Sequence, residues 1–172
     1  METLGGCIIS YAHEYIGQEE IKGNQGFKNE DFDTKMREMG FKNGYAWCVL
    51  FCELCWKEGY RDFAKEYLPL LDEEITAGAV RTWRHFKNLG WTSQRPKVGS
   101  IVIWQKYKNG EPTTQGHAAI LKEYVGDYIT TIDGNTNDAG GREGYIVAEK
   151  KRKMDFNKEK GLRLLGFIHP KS

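Results

Sequence analysis

The chain changes its pattern at Pro96. Upstream of it, apolar residues recur at helical spacing. Downstream, they come in short runs divided by turns rich in Gly, Asn and Asp. Helices first and antiparallel strands second restrict the fold to α+β, with helices packed on one sheet of about five to six strands. Residues 3–16 read as a helix, with Leu4, Cys7, Ile8, Tyr11 and Tyr15 on one face and Gly17 placed to end it. Residues 22–30 read as a loop. A short helix follows over 31–39 and stops at Gly40, and Lys42-Asn43-Gly44 makes a turn. The next helix starts near Cys48 and ends near Gly59. Residues 60–90 read as two or three short helices, the last capped by Thr76 and closed by Gly90. Strands are expected at Ile101–Trp104, His117–Tyr124, Tyr128–Asp133, Tyr145–Lys151 and Leu162–His169. With 172 residues and no repeat or linker, the expectation is one domain over 1–172. It divides into a helical lead-in (1–42), a central helix with a helical insert (43–95) and the sheet (96–170).

Composition removes several function classes. The net charge is +1, so no broad basic field exists to hold nucleic acid. The one basic run, Lys150-Lys-Arg-Lys153, reads as a solvated strand end. No stretch approaches the ~20 apolar residues of a membrane span. The N-terminus lacks the basic and apolar regions of a signal peptide, so synthesis in the cytoplasm is expected. The four cysteines are Cys7, Cys48, Cys52 and Cys55. Three crowd into one helix and point to different faces, which is no disulfide framework and fits a reducing compartment.

Cys48 is the candidate nucleophile, against the alternative that it is a small core residue like Cys52 and Cys55. A helix start offers unpaired N–H groups and a positive dipole end, both of which favour thiolate over thiol. Trp47 beside it can wall a cleft. Cys52 and Cys55 read as small core residues. The spacing Cys48-x3-Cys52-x2-Cys55 matches an iron–sulfur triad, but the residues between are those of a buried helix, and the chain is too short for the barrel such clusters occupy.

His117 stands in Gly116-His117-Ala-Ala-Ile, where a preceding glycine leaves room for close approach. Its imidazole can act as base and then as acid near neutral pH. His13, His85 and His169 read as structural. Asp133 and Asn135, two apart, share a strand face, and either can fix the His117 tautomer. The bland alternative for both is a hairpin turn. Asp133-x-Asn135-x-Asn137 also starts like a calcium loop, but Asp138 replaces the required Gly and Gly144 the required Glu.

The strings Trp47-Cys48-Val-Leu-Phe, Pro96-Lys-Val-Gly99-Ser-Ile-Val-Ile-Trp104, Gly116-His117-Ala-Ala-Ile-Leu and Ile132-Asp133-Gly-Asn135 resemble the CHAP family and the related NlpC/P60 peptidases, in family order from about 43 to 168. Gly17-Gln-Glu-Glu-Ile-Lys-Gly-Asn-Gln-Gly-Phe resembles the lead-in of phage-encoded members. Ser100 stands where the family commonly has Asp, and Val49 where it has Ala. The resemblance implies a papain-like peptidoglycan hydrolase of the endolysin kind, either an N-acetylmuramoyl-L-alanine amidase or a peptide-bridge endopeptidase. Cys48 would be nucleophile, His117 base, and Asp133 or Asn135 the third member. The Cys48 N–H would help hold the oxyanion, with Tyr45 or Asn43 as second donor. No metal or cofactor is implied. The expected partner is the peptide stem of peptidoglycan, met by a monomer at the cell wall after release or delivery. Two rivals remain at this level: a non-catalytic phage or envelope module on the same fold, and a papain-like hydrolase of a protein substrate.

Overall fold

A computed structural model describes residues 2–136 and 144–172. The order is α1 (Leu4–Glu14), α2 (Glu30–Glu38), α3 (Cys48–Phe63), a single 3-10 turn (Lys65–Tyr67), α4 (Leu68–Glu74) and α5 (Ala79–Asn88). Six strands follow: β1 (Thr92–Ser93), β2 (Ile101–Lys108), β3 (Glu111–Val125), β4 (Tyr128–Thr136), β5 (Ile146–Lys153) and β6 (Gly161–Ile168). They form one antiparallel sheet in the order β1-β6-β2-β3-β4-β5. The expected α+β class therefore holds.

Local chemistry accounts for the helix boundaries. Thr3 caps α1 by accepting the Gly6 N–H, and Asn29 caps α2 by accepting that of Phe32. Glu30, Asp31 and Asp33 add negative charge to the α2 start. α3 is buried from Cys48 through Tyr60, charged residues included. Glu53 pairs with Lys57 at 2.7 Å, Lys57 also meets Asp72, and Glu58 accepts the Tyr15 hydroxyl at 2.8 Å. A central helix can be buried all round only if its charges are matched in this way.

α3 lies on one face of the sheet, against Ile101, Ile103, Ala118, Ile120, Ile132, Val147 and Ile168. The other face carries a second cluster around Val102, Trp104, Ala119, Leu121, Ile129 and Phe167, with Met154 and Phe156 packed over it. This two-sided burial explains why β2 and β3 read as continuous apolar runs rather than alternating ones. The outer edge of β5 is covered by the lead-in. Gly17 N–H donates to Val147 O at 2.8 Å, Val147 N–H to Gln18 O at 2.9 Å, and Glu20 N–H to Tyr145 O at 2.8 Å.

Of the boundaries that differ from the sequence reading, three are set by packing or by turn geometry. Gly59 does not end α3, which runs on to Phe63. It is instead the crossing point with α1, where a Cβ would lie 2.6 Å from Ile8 Cγ1. Thr76 is not the cap of α5; Gly78 is, and the Thr76 hydroxyl accepts the Gly78 N–H at 3.2 Å just outside it. β2 and β3 run to Lys108 and from Glu111, joined at Asn109 and Gly110, whose φ values of 52° and 76° are those of a tight hairpin turn.

Candidate active site

α3 begins at Cys48 after Trp47, which gives no side-chain cap. The N–H groups of the first turn therefore have no helical acceptor. One of them, on Val49, donates to the Cys48 sulfur. A second donor arrives from the sheet. The β3–β4 ladder stops at the pair Ile120–Ile132. Beyond that pair the two strands are no longer joined, and the Ala118 N–H donates to the Cys48 sulfur. Two glycines bring the parts this close. At Gly134 a Cβ would lie 2.6 Å from Phe51 Cβ and 2.8 Å from Trp47 Cζ3. At Gly116 it would lie 2.2 Å from the Trp104 carbonyl oxygen.

His117 projects from the same stretch of β3. Its Nε2 lies 2.7 Å from Asp133 Oδ2. That leaves Nδ1 as the nitrogen for the hydrogen bond with Cys48. Trp104 packs against the imidazole, its ring centroid 5.6 Å away and tilted by 32°. Asp133 is fully buried, and both of its oxygens are occupied. Thr131 donates its hydroxyl to Oδ1, and Arg152 Nη2 donates to Oδ2 at 2.7 Å. Arg152 Nη1 donates to Thr131 Oγ1 at 2.8 Å, and its guanidinium carbon sits 4.8 Å from the Trp104 ring centre.

The electrostatics follow from these contacts. Burial pushes the Cys48 thiol up, but the bond and charge of His117, with the N–H groups of Ala118 and Val49, bring it below the ordinary thiol range. Burial pushes His117 down, yet Asp133 and the Cys48 thiolate raise it to about 9. Burial pushes Asp133 up, and His117 and Arg152 reverse this and hold it below the usual carboxylate value. All three shifts run in the direction that favours a thiolate–imidazolium pair backed by a carboxylate. Cys48 is 7% exposed and the His117 side chain 14%, so little of either residue reaches the surface. Such a site can attack an acyl carbon and return a proton to the departing group.

The other residues singled out in the sequence separate from this group. Asn135 is not the partner of His117. A bulge between Asp133 and Thr136 and a φ of 53° at Asn135 break the alternation that would have kept it on the Asp133 face. Trp47 does not wall a cleft. It is fully buried, donates Nε1–H to Glu20 Oε2 at 2.8 Å and packs edge-on against Phe27. Asn43 Oδ1 accepts from Arg37 Nη2 at 2.9 Å, while Tyr45 is exposed. Cys52 and Cys55 are fully buried, and burial pushes both thiols well up. Burial and Asp62 raise Cys7 to about 11. Among the described residues no three His, Cys, Asp or Glu side chains converge to hold a metal ion. Asn137 and Asp138 of the calcium-loop spacing lie outside the described residues.

Arg152 is the residue that the sequence hides. It lies inside the run read as a solvated strand end, where Lys151 and Lys153 are indeed exposed. The signal was strand alternation, which turns the middle residue to the opposite face from its neighbours.

A family model for the CHAP domain matches residues 40–135, a span that includes Cys48, His117 and Asp133. The chain belongs to the CHAP family. CHAP domains are generally hydrolytic, working through a cysteine and a histidine, and membership points to peptidoglycan as the substrate. No curated protein and no solved structure matches the chain. The CHAP match ends at Asn135, so β5 and β6, and with them Arg152, lie beyond it.

Proposed function

We propose that this chain is a cysteine hydrolase that cleaves an amide bond of bacterial peptidoglycan, as an N-acetylmuramoyl-L-alanine amidase or a peptide-bridge endopeptidase. The observation that carries the reading is the contiguous set Cys48–His117–Asp133, with the sulfur at a helix start and between two N–H donors. In this reading the Cys48 thiolate adds to the amide carbonyl carbon. The Cys48 N–H helps hold the oxyanion, a role suited to a helix-start amide with no helical acceptor. The loop before α3 supplies the second donor. Tyr45 is exposed there, whereas Asn43 is engaged by Arg37. His117 then gives its Nδ1 proton to the leaving amine. A water, deprotonated by the now neutral imidazole, cleaves the thioester and restores the thiolate. Asp133 keeps the ring oriented and stabilises its positive form. The work is done at the bacterial wall, reached by release or by a delivery system.

The test is digestion of purified sacculi of several wall types, with mass spectrometry of the released muropeptides. An amidase frees intact stem peptides from muramic acid, and an endopeptidase divides cross-linked stems. Cys48→Ala should fold and release nothing. If that variant clears sacculi at the wild-type rate, Cys48 is not the nucleophile.

A further inference from the structure

The reading just given leaves Arg152 without a role, although its contacts are the most specific in β5. Its two terminal nitrogens are divided between Asp133 Oδ2 and Thr131 Oγ1, at 2.7 and 2.8 Å. Thr131 in turn donates to the second oxygen of Asp133. The carboxylate is therefore gripped on both oxygens, Oδ2 being shared between Arg152 and His117, and it cannot rotate without breaking one of these bonds. Trp104 fixes the guanidinium from a third direction at 4.8 Å, and the same ring packs on the imidazole.

Charge counting gives the grip a purpose. Thiolate, imidazolium, carboxylate and guanidinium alternate in sign along the chain of contacts from α3 through β3 and β4 to β5, and they sum to zero. Without Arg152 the buried set carries a net negative charge, and its cheapest relief is to take up a proton. Either Asp133 becomes a neutral acid that no longer supports the imidazolium, or Cys48 returns to a thiol. We propose that Arg152 is a positioning residue of this site, holding Asp133 ionised and aimed at His117 so that Cys48 rests as a thiolate. The proposal rests on the hydrolase reading above.

The other charges near this group do not replace Arg152. Cys52, on α3, is fully buried, and burial keeps it a thiol. On the outer side Lys153, Asp155 and Lys158 share a cavity of about 510 Å³ with Arg152 and Trp104. Lys153, Asp155 and Lys158 are exposed. Their fields at Asp133 are screened by water in a way that the Arg152 contact is not.

The experiment compares the full chain with Arg152→Gln and Arg152→Lys. The readout is the rate of Cys48 alkylation by iodoacetamide against pH, with peptide mass spectrometry to separate Cys48 from Cys7, Cys52 and Cys55. Arg152→Gln should raise the pH midpoint of alkylation by about one unit, the scale of losing a close opposite charge, and lower turnover. Arg152→Lys keeps the charge but not the two-pronged grip. Its midpoint should stay with wild type while turnover falls. A wild-type midpoint in Arg152→Gln overturns the proposal. So does an Arg152→Lys midpoint as displaced as that of Gln, which would make the role one of packing. Should the Gln variant not fold, the Lys variant decides alone: a wild-type midpoint with lowered turnover supports the proposal, and a midpoint raised by about one unit overturns it. Failure of the underlying reading looks different: wild-type Cys48 would then alkylate only in the ordinary thiol range.

Discussion

Cys52 lies one turn after Cys48 on the same helix and is just as free of disulfides, yet burial pushes its thiol well up while that of Cys48 is held down. The difference is not burial but partners: His117 and the N–H groups of Ala118 and Val49 lower Cys48, and Cys52 has no such set. Iodoacetamide should therefore label Cys48 first, with Cys52 and Cys55 protected until the protein unfolds. Cys48 and His117 were legible in the sequence because each sits in a short, specific string. Which of Asp133 and Asn135 meets His117 was not, because a spacing of two puts both on one face of any regular strand. A bulge, which pairing with β5 sets and composition does not reveal, separates them. Asp133→Ala should lower turnover by roughly two to four orders of magnitude, the scale of losing a residue that orients a catalytic histidine. Asn135→Gly should cost far less, since glycine accepts the φ of 53° found there. Steady-state hydrolysis at matched folded fraction checks both. If the Asn135 change proves the more damaging, the assignment of Asp133 fails.

The elements themselves were read mostly correctly, and the errors share one cause. Gly59 looks like a helix stop in sequence because glycine so often is one. In the fold it lets Ile8 of α1 approach α3, a requirement visible only once the two helices are packed. The short β1 and the outer halves of β2 and β3 went unread because the pairing with β6 and the hairpin turn, not local apolar content, make them strands. Gly134 shows what such a close approach does for the site. It is the residue next to Asp133, and it lets β4 reach the start of α3. Gly134→Ala would place a methyl group against Phe51 and Trp47, neither of which has free space, since both are fully buried. We expect a loss of about 1–3 kcal/mol in stability, the usual cost of overpacking. Turnover should also fall in the protein that remains folded, because Asp133 moves with the strand. Urea unfolding and hydrolysis, measured on the same preparation, separate the two effects. Unchanged turnover would mean that the strand can shift without carrying Asp133 away from His117.

For the molecule as a whole, the buried pair ties stability to pH with a sign that can be worked out. His117 is raised from 6.5 to about 9 in the fold. Its contribution is therefore full below the lower value and is lost as pH rises through the upper one. Cys48 is held below the ordinary thiol range. Its contribution is present above that range and is lost as pH falls through the folded value. Between 6.5 and about 9 these slopes oppose each other. Where the folded pair is ionised it holds one proton, on the imidazole, and the unfolded chain holds one on the thiol. Below 6.5 the unfolded chain binds a second proton; wherever the folded pair is still ionised it does not, and the contribution falls as pH falls. Cys48→Ala removes the thiol from both states, so the advantage of wild type over this variant should grow with pH and level off by about 9. Other titrating groups are common to both proteins and cancel, and the packing lost with the sulfur adds an offset that does not depend on pH. Urea midpoints at about pH 5 and about pH 8 should therefore give a wild-type advantage that is larger at the higher pH. An advantage equal at the two values would mean that Cys48 rests as a neutral thiol, and the ion pair would have to form only when substrate arrives.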